Sequence, residues 1–520
     1  MKRLSILSLL AFAAAAHAEI KLPAIIGDNM VLQQKQTNPI WGWDTPGTKV
    51  TVTFGGQTKT GEADAKGKWT VKLDPVPASA KPATMGIKGT NKVELKNILV
   101  GEVWICSGQS NMQWSVSQSY DADLEIATAK FPNIRLISVP QVGTQEPQND
   151  FKGAWAECSP ANVGEFSGVG FFFGRTLHQT LDVPVGLIDN AWGGSAAEAW
   201  VRRDVLEKDG RFKTLMDGWA TREKDLSSDA AKKRYETGLA AWKKRADEAK
   251  AKKAEFRERA PQSPLQQLSG NNRPGNIYNG VLLPTIGYGI KGAIWYQGES
   301  NASRAYEYGY LFPLMIQHWR DEWKQGDFPF YWVQLADFMA EKPEPGDSSW
   351  AELRESQTKT QNAIKNGGQA VIIDIGEGRD IHPRNKRDVA DRLVRLALAK
   401  DYGVKIPHRS PEYKSVELQG NKAIVTLDTF GSNLYTFDVQ EVKGLAVCGE
   451  DKKWVWATGK LLGADKIEVT APGVAKPVAV RYAWSDNPVC NLFSKEGLPV
   501  TPFRTDDFPM TTKPVAPATK

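Results

Sequence analysis

Apolar and polar residues change rhythm twice along the chain. From residue 19 to about 100 they alternate with a period of two: Val50-Thr51-Val52-Thr53-Phe54 and Trp69-Thr70-Val71-Lys72-Leu73 place every second side chain on one face, and Gly55-Gly56 and Gly67 punctuate them as turns. No stretch of useful length there has helical spacing, so residues 19–100 are predicted to form a small β-sandwich. From about 101 to 404 short solid apolar runs, at 103–106, 185–189, 293–297, 330–335 and 370–374, are separated by amphipathic stretches such as 389–398. Solid runs followed by helices are the pattern of α/β folds, in which a parallel sheet is covered on both faces.

Within that region residues 201–262 become charged and alanine-rich, as in AAKKRYETGLAAWKKRADEAKAKKAEFRERA, with apolar residues at helical spacing. This reads as a helical insertion whose charges form a solvated face. After about 405 the β rhythm returns at 423–427, 466–470 and 478–484, and a second β-sandwich is predicted for 405–520. Ligands of parallel α/β sheets bind at the carboxyl ends of the strands. Four of the runs lead into polar or glycine-rich turns: Ser110, Trp192-Gly193-Gly194, Gln297-Gly298-Glu299 and Asp380-Ile381-His382. One site built from all four is the economical expectation.

Composition adds an address and removes some partners. Residues 1–18, MKRLSILSLLAFAAAAHA, have a basic start, a short apolar run and a small-x-small ending at Ala16-His17-Ala18, the pattern of a cleaved secretory leader. Export to the periplasm or the extracellular space is expected, and no later segment approaches the roughly 20 apolar residues of a membrane-spanning helix. The 66 basic and 60 acidic residues give a formal charge of +6 and are interspersed, so nothing points to nucleic acid. Eighteen tryptophans suit a protein that stacks on sugars, although tryptophan also fills cores. Four cysteines in an exported chain permit disulfides, and Cys448 with Cys490, which share the last β segment, is the expected pair. Cys106, on the strand leading to Ser110, reads as a buried thiol or one half of a bridge.

The candidate chemistry starts from Gly108-Gln109-Ser110-Asn111-Met112, where an apolar strand meets a helix start. A serine hydroxyl is a poor nucleophile at neutral pH unless a base takes its proton and fixed N–H donors meet the oxyanion. Histidine is the base best suited to neutral pH. Of five histidines, His17 lies in the leader, His178 and His318 fall in helical patterns, and His408 follows a proline in a linker. His382, in the loop IGEGRDIHPRN, remains, with Asp380 two residues earlier to hold its other ring nitrogen. Donors for the oxyanion are the Ser110 N–H, the Gly193-Gly194 turn, and the side-chain amide of Gln297 or Asn301.

GQSNM at 108–112, WGG at 192–194, WYQGESN at 295–301 and DIHP at 380–383, in this order, resemble the four blocks of the SGNH hydrolases, and more narrowly the sialate O-acetylesterase family. The likeness extends to LPAIIGDNMVLQQ near the start and GLPVTPFRTD near the end. It implies a flavodoxin-like central sheet, Ser110 as nucleophile, His382 as base, Asp380 as its partner, and Gly193 or Gly194 with a block-three side chain as oxyanion hole. The pair Asp-x-His is one residue shorter than the superfamily's Asp-x-x-His, and QGE stands where many members have Gly-x-Asn. Relatives with the QGE block imply that Glu299 shares or takes over the support of His382, leaving both carboxylates as candidates.

The reaction implied is two-step acyl transfer that needs no metal or cofactor; no His-Glu-x-x-His or Cys/His cluster is present. The absence of a Gly-x-Ser-x-Gly elbow argues against an α/β-hydrolase. The expected substrate is an O-acetylated carbohydrate, by resemblance O-acetylated sialic acid, with acetylxylan as the alternative and a non-catalytic carbohydrate-binding protein as a reading of another class. Trp114, Trp192 and Trp295 adjoin the motifs and are candidates for a sugar platform.

Overall fold

A computed structural model describes residues 19–514; the leader read at 1–18 lies outside them. Six parallel strands make the centre, in the spatial order Gly367–Ala370, Phe330–Val333, Gly292–Tyr296, Lys92–Gly108, Val185–Asp189 and Phe131–Ser138, and Ala156–Cys158 adds antiparallel at one edge. The two-residue period sorts their side chains. Val103, Ile105, Ala293, Trp295, Phe330 and Trp332 enter one apolar core, while Trp104, Cys106, Ile294, Tyr296, Tyr331 and Val333 enter the other. Helices Ala305–Trp323 and Ser349–Ala363 cover the first face, Gly168–Leu181 and Lys386–Asp401 the second. Burial on both sides is why these strands read as solid apolar runs.

The strand order differs from the flavodoxin-like 2-1-3-4-5 implied by the resemblance. Numbered along the chain, the parallel strands stand 2-3-1-4-5-6, because Val185–Asp189 pairs with Lys92–Gly108 on one side and Phe131–Ser138 on the other. The connection after Lys92–Gly108 skips one strand position, and helix Gly168–Leu181 returns the chain into the gap.

Lys92–Gly108 is 17 residues long and passes through residue 100 unbroken. Its first half pairs with Ser79–Lys88 and Val31–Gln33, and its second half with Val185–Asp189 and Gly292–Tyr296. A second layer, Asn38–Trp43 paired with Lys68–Leu73, closes the N-terminal core over Val50, Val52, Met85 and Ile87. The site-bearing strand is therefore anchored in two cores.

Three sequence expectations are corrected here. The run 370–374 is strand only to Ala370; Val371 and Ile373 turn into the C-terminal core and Ile372 into the helix-covered one, so two cores account for its apolar character. The C-terminal region is one antiparallel sheet of seven strands with a separate two-stranded ribbon, not a two-sheet sandwich. Lys422–Asp428 buries every second residue, and the ribbon strand residues Leu434 and Leu492 and the residues Val371 and Ile373 close that single apolar face. Lastly, all four cysteines are free thiols. Cys490 packs against Gly444, whose missing Cβ would lie 3.0 Å from it. Cys448 is four residues further along the strand, about 13 Å at 3.3 Å per residue, beyond disulfide reach.

The charged, alanine-rich stretch is helical, with Arg203–Lys208, Lys213–Leu226, Asp229–Ala251 and Pro264–Leu268. In Asp229–Ala251 only Ala231 is buried, so its charges face solvent. Among the described residues no helix is long and apolar enough to cross a membrane.

Candidate active site

The turn that carries Ser110, the candidate nucleophile, is held from both sides. Gly108 has φ +140°, and a Cβ there would lie 2.2 Å from the Tyr296 carbonyl oxygen, so the crossing of the two strand ends requires glycine. The Gln109 N–H donates to the Tyr296 carbonyl at 2.9 Å, and the Trp192 N–H donates to the Gly108 carbonyl at 3.0 Å. These bonds bring three strand ends together and leave Ser110 half-buried as the first residue of the short helix Ser110–Gln113.

Gly193 lies over the serine. A Cβ at Gly193 would be 3.4 Å from Ser110 Cβ, so glycine keeps open the space an acyl group needs. The Gly193 N–H donates to Gln113 Oε1 at 2.7 Å, and its carbonyl accepts from Asn271 Nδ2 at 2.5 Å. Gly194 follows with φ +70° and is exposed.

His382 is brought to the same place. Its imidazole stacks on Trp114, one turn after Ser110, with ring centroids 4.5 Å apart and planes 10° from parallel. Asn111 Nδ2 donates to the Ile381 carbonyl at 2.9 Å, tying the backbone beside His382 to the residue beside Ser110. Asp380 Oδ1 accepts the His382 N–H at 2.9 Å and lies 3.3 Å from His382 Nδ1. Among the described residues the Ser110 hydroxyl donates to no partner, His382 included; catalytic hydrogen bonds are commonly long before substrate closes the site. Burial holds His382 below its ordinary pKa, the Asp380 carboxylate opposes this, and the Lys386 ammonium adds to it.

The remaining sequence candidates separate. Glu299 is half-buried and makes no hydrogen bond or ion pair with His382: its Oε1 accepts from Asn111 Nδ2 at 2.7 Å, and among the described residues its buried Oε2 has no hydrogen-bond partner. It reaches the histidine loop only through Asn111. Gln297 and Asn301 are fully buried and engaged elsewhere. Gln297 Nε2 donates to the Ser195 carbonyl at 3.1 Å and to Asn301 Oδ1 at 2.7 Å; Asn301 Nδ2 donates to Glu198 Oε2 at 2.9 Å, and its Oδ1 accepts the Ala197 N–H at 3.0 Å. Both amides buttress the 195–198 loop, so of the candidate oxyanion donors the backbone N–H groups remain. Trp295 is in the core, edge-on to Trp200 and Trp319. Trp114 gives one face to His382, and Trp192 is half-buried beside Gly143.

Three participants were not singled out in the sequence: Asn111, Gln113 and Lys386. Asn111 and Gln113 flank the serine within the GQSNMQ segment. Lys386 carries no sequence signal beyond its place four residues after His382. A cavity of about 960 Å³ adjoins these loops without touching Ser110; Ala196 and Ser300 form part of its wall, with Trp219, Arg222, Tyr306 and Tyr310 contributed by the insertion and helix Ala305–Trp323.

The chain matches the family model "Carbohydrate esterase, sialic acid-specific acetylesterase" over residues 100–231 and 280–374, which include Ser110, Gly193 and Glu299 and stop short of Asp380 and His382. It is similar to the sialate O-acetylesterases of Mus musculus, 30% identical over 94% of this chain and 95% of that one, and of Homo sapiens, 27% identical over 94% and 93%. Among solved structures it resembles a carbohydrate acetylesterase from Xanthomonas citri, with TM-score 0.79 and 36% identity over 94% of this chain and 100% of the other. With likeness over nearly the whole length of these chains, the protein belongs to the sialate O-acetylesterase family, a family of carboxylic ester hydrolases.

Proposed function

We propose that the protein removes O-acetyl groups from carbohydrates, with O-acetylated sialic acid as the first substrate, and that Ser110, His382 and Asp380 do the work. The observation that carries this reading is the packing of the His382 imidazole on Trp114, one helical turn from Ser110, with Gly193 over the serine.

In the first step Ser110 Oγ attacks the acetyl carbonyl while its proton passes to His382 Nε2. Asp380 holds Nδ1 and stabilises the imidazolium. The tetrahedral oxyanion is met by the backbone N–H of Ser110 and by that of Gly193 or Gly194; for Gly193 the Gln113 amide oxygen swings away as substrate enters. The bond from carbonyl carbon to sugar oxygen breaks, and His382 returns the proton to that oxygen. Water then attacks the acetyl-serine, giving its proton to His382; the carbon to Oγ bond breaks, acetate leaves, and Ser110 is protonated again.

The sugar beyond the ester occupies the cavity walled by Ala196, Ser300 and Tyr310, where aromatic and guanidinium groups suit a hydroxylated, acid-bearing ring. Export by the 1–18 leader would put the enzyme where glycans are met. Acetate release from O-acetylated sialic acid and from acetylxylan, compared at equal ester concentration, tests the substrate. A larger kcat/KM on the sialic acid supports the reading; a larger value on xylan replaces it with the acetylxylan alternative.

A further inference from the structure

Lys386 stands where a lysine is least at ease. It is the first residue of helix Lys386–Asp401, so its charge faces the positive end of the helix dipole, and its side chain is fully buried. Gly168 packs on its Cβ, and its ammonium lies 5.3 Å from the Tyr296 ring centroid and 5.9 Å from that of Trp114. Among the described residues the ammonium makes one hydrogen bond, to Asn111 Oδ1 at 2.5 Å. The same amide donates from Nδ2 to Glu299 Oε1 and to the Ile381 carbonyl.

Only one orientation of Asn111 satisfies this arrangement. Its oxygen faces the ammonium and its nitrogen faces a carboxylate and a carbonyl; a flipped amide would set oxygen against two oxygens and nitrogen against a donor. We propose that Lys386 is a positioning residue for the ester hydrolysis: by fixing the Asn111 amide between its own ammonium and the Glu299 carboxylate, it locks the backbone at Ile381 and His382 onto the helix of Ser110. The inference rests on the esterase reading above.

The charges around Lys386 define a second consequence. Burial pulls the Lys386 ammonium down to about 7 even though Glu299, Glu377 and Asp380 favour its charged form, and Glu377 is itself paired with Arg384 at 3.0 Å. The ammonium in turn disfavours the imidazolium of His382, which keeps the base neutral further into acid. Lys386 thus acts on geometry through Asn111 and on protonation through space.

The test is steady-state hydrolysis of a chromogenic acetate ester against pH. Wild-type turnover, and its loss in Ser110→Ala, are established first; failure there ends the esterase reading and this inference with it, whereas the Lys386 and Asn111 variants bear on this inference alone. Lys386→Met is expected to lower kcat on the order of 100-fold, the cost of a misplacement of about 1 Å, with KM within about threefold. The acid limb of its kcat/KM profile moves to higher pH. Lys386→Gln retains a donor for Asn111 without the charge, so kcat recovers to within about tenfold of wild type while the limb stays shifted. Asn111→Ala keeps the charge and loses the lock: kcat falls and the limb does not move up. A folded Lys386→Met, by near-ultraviolet circular dichroism, with kcat within about twofold of wild type or an unmoved acid limb overturns the proposal. Should Lys386→Met not fold, an Asn111→Ala enzyme of wild-type kcat, or a Lys386→Gln enzyme with an unmoved limb, overturns it equally.

Discussion

Gly193→Ala separates the site's chemistry from its stability. Gly193 has no positive φ, unlike Gly194 at +70°, so alanine is accommodated by the backbone. The new methyl would meet Gln113 Oε1 at 3.0 Å and Ser110 Cβ at 3.4 Å. The first is the end of an exposed side chain that can swing away. The second cannot move, because Ser110 is held by the turn between three strand ends. The methyl therefore stands above Ser110, where in the proposed mechanism the carbonyl enters, and would displace the oxyanion from the Gly193 N–H if that group is the second donor. Loss of one oxyanion donor costs about 2.7–4 kcal/mol of transition-state stabilisation, roughly 100- to 1000-fold in kcat. The change in folding stability should stay within about 0.5 kcal/mol, as for a surface substitution without strain. Hydrolysis of a chromogenic acetate ester and a thermal melt of the same sample measure both. An alanine variant with kcat/KM within about threefold of wild type would refute the placement of Gly193 over Ser110 in catalysis.

Other outcomes follow from the same geometry. His382 must be neutral to accept a proton and burial lowers its pKa, so the rate falls as pH drops through a midpoint below the ordinary histidine value; Asp380 raises that pKa, and Asp380→Asn is expected to lower both kcat and the midpoint, as read from a pH–rate profile. Asn301→Ala strands the Ala197 N–H, one of the two Gln297 Nε2 protons and one Glu198 oxygen in a buried site, and denaturant unfolding should show a loss of about 2–3 kcal/mol; an unchanged midpoint would mean the network does not hold the loop. Tyr310→Ala, on the cavity wall, should raise KM for an acetylated glycan by about tenfold and leave a small acetate ester unaffected; equal effects on both would remove the cavity from the substrate path.

Much of this was legible in the chain because each strand carries its own signal. The solid apolar runs at 185–189, 293–297 and 330–335 became central strands, and the turns after them meet, since parallel strands bring their carboxyl ends to one edge. Strand order is a different kind of property. Nothing local in Val185–Asp189 says which neighbours it takes, and the flavodoxin-like order failed there. The run 370–374 misled because an apolar residue reads the same whether it enters one core or two. Gln297 and Asn301 were given to the oxyanion because their type and position allowed it; hydrogen bonds to Ser195, Ala197 and Glu198, about a hundred residues away, decided otherwise. Lys386 was invisible for the same reason, since its partners Asn111 and Glu299 are distant in sequence and a lysine after a proline loop looks like surface.

Ser110 as the nucleophile is tested most directly by trapping the acyl-enzyme. After rapid quenching of wild-type protein with a chromogenic acetate ester, peptide mass spectrometry should find one acetyl group, on Ser110, and none on Ser110→Ala, whose turnover should fall on the order of a million-fold, as for a lost nucleophile. Hydrolysis persisting in Ser110→Ala within about tenfold of wild type, or an acetyl group on another residue of the active protein, would contradict the account.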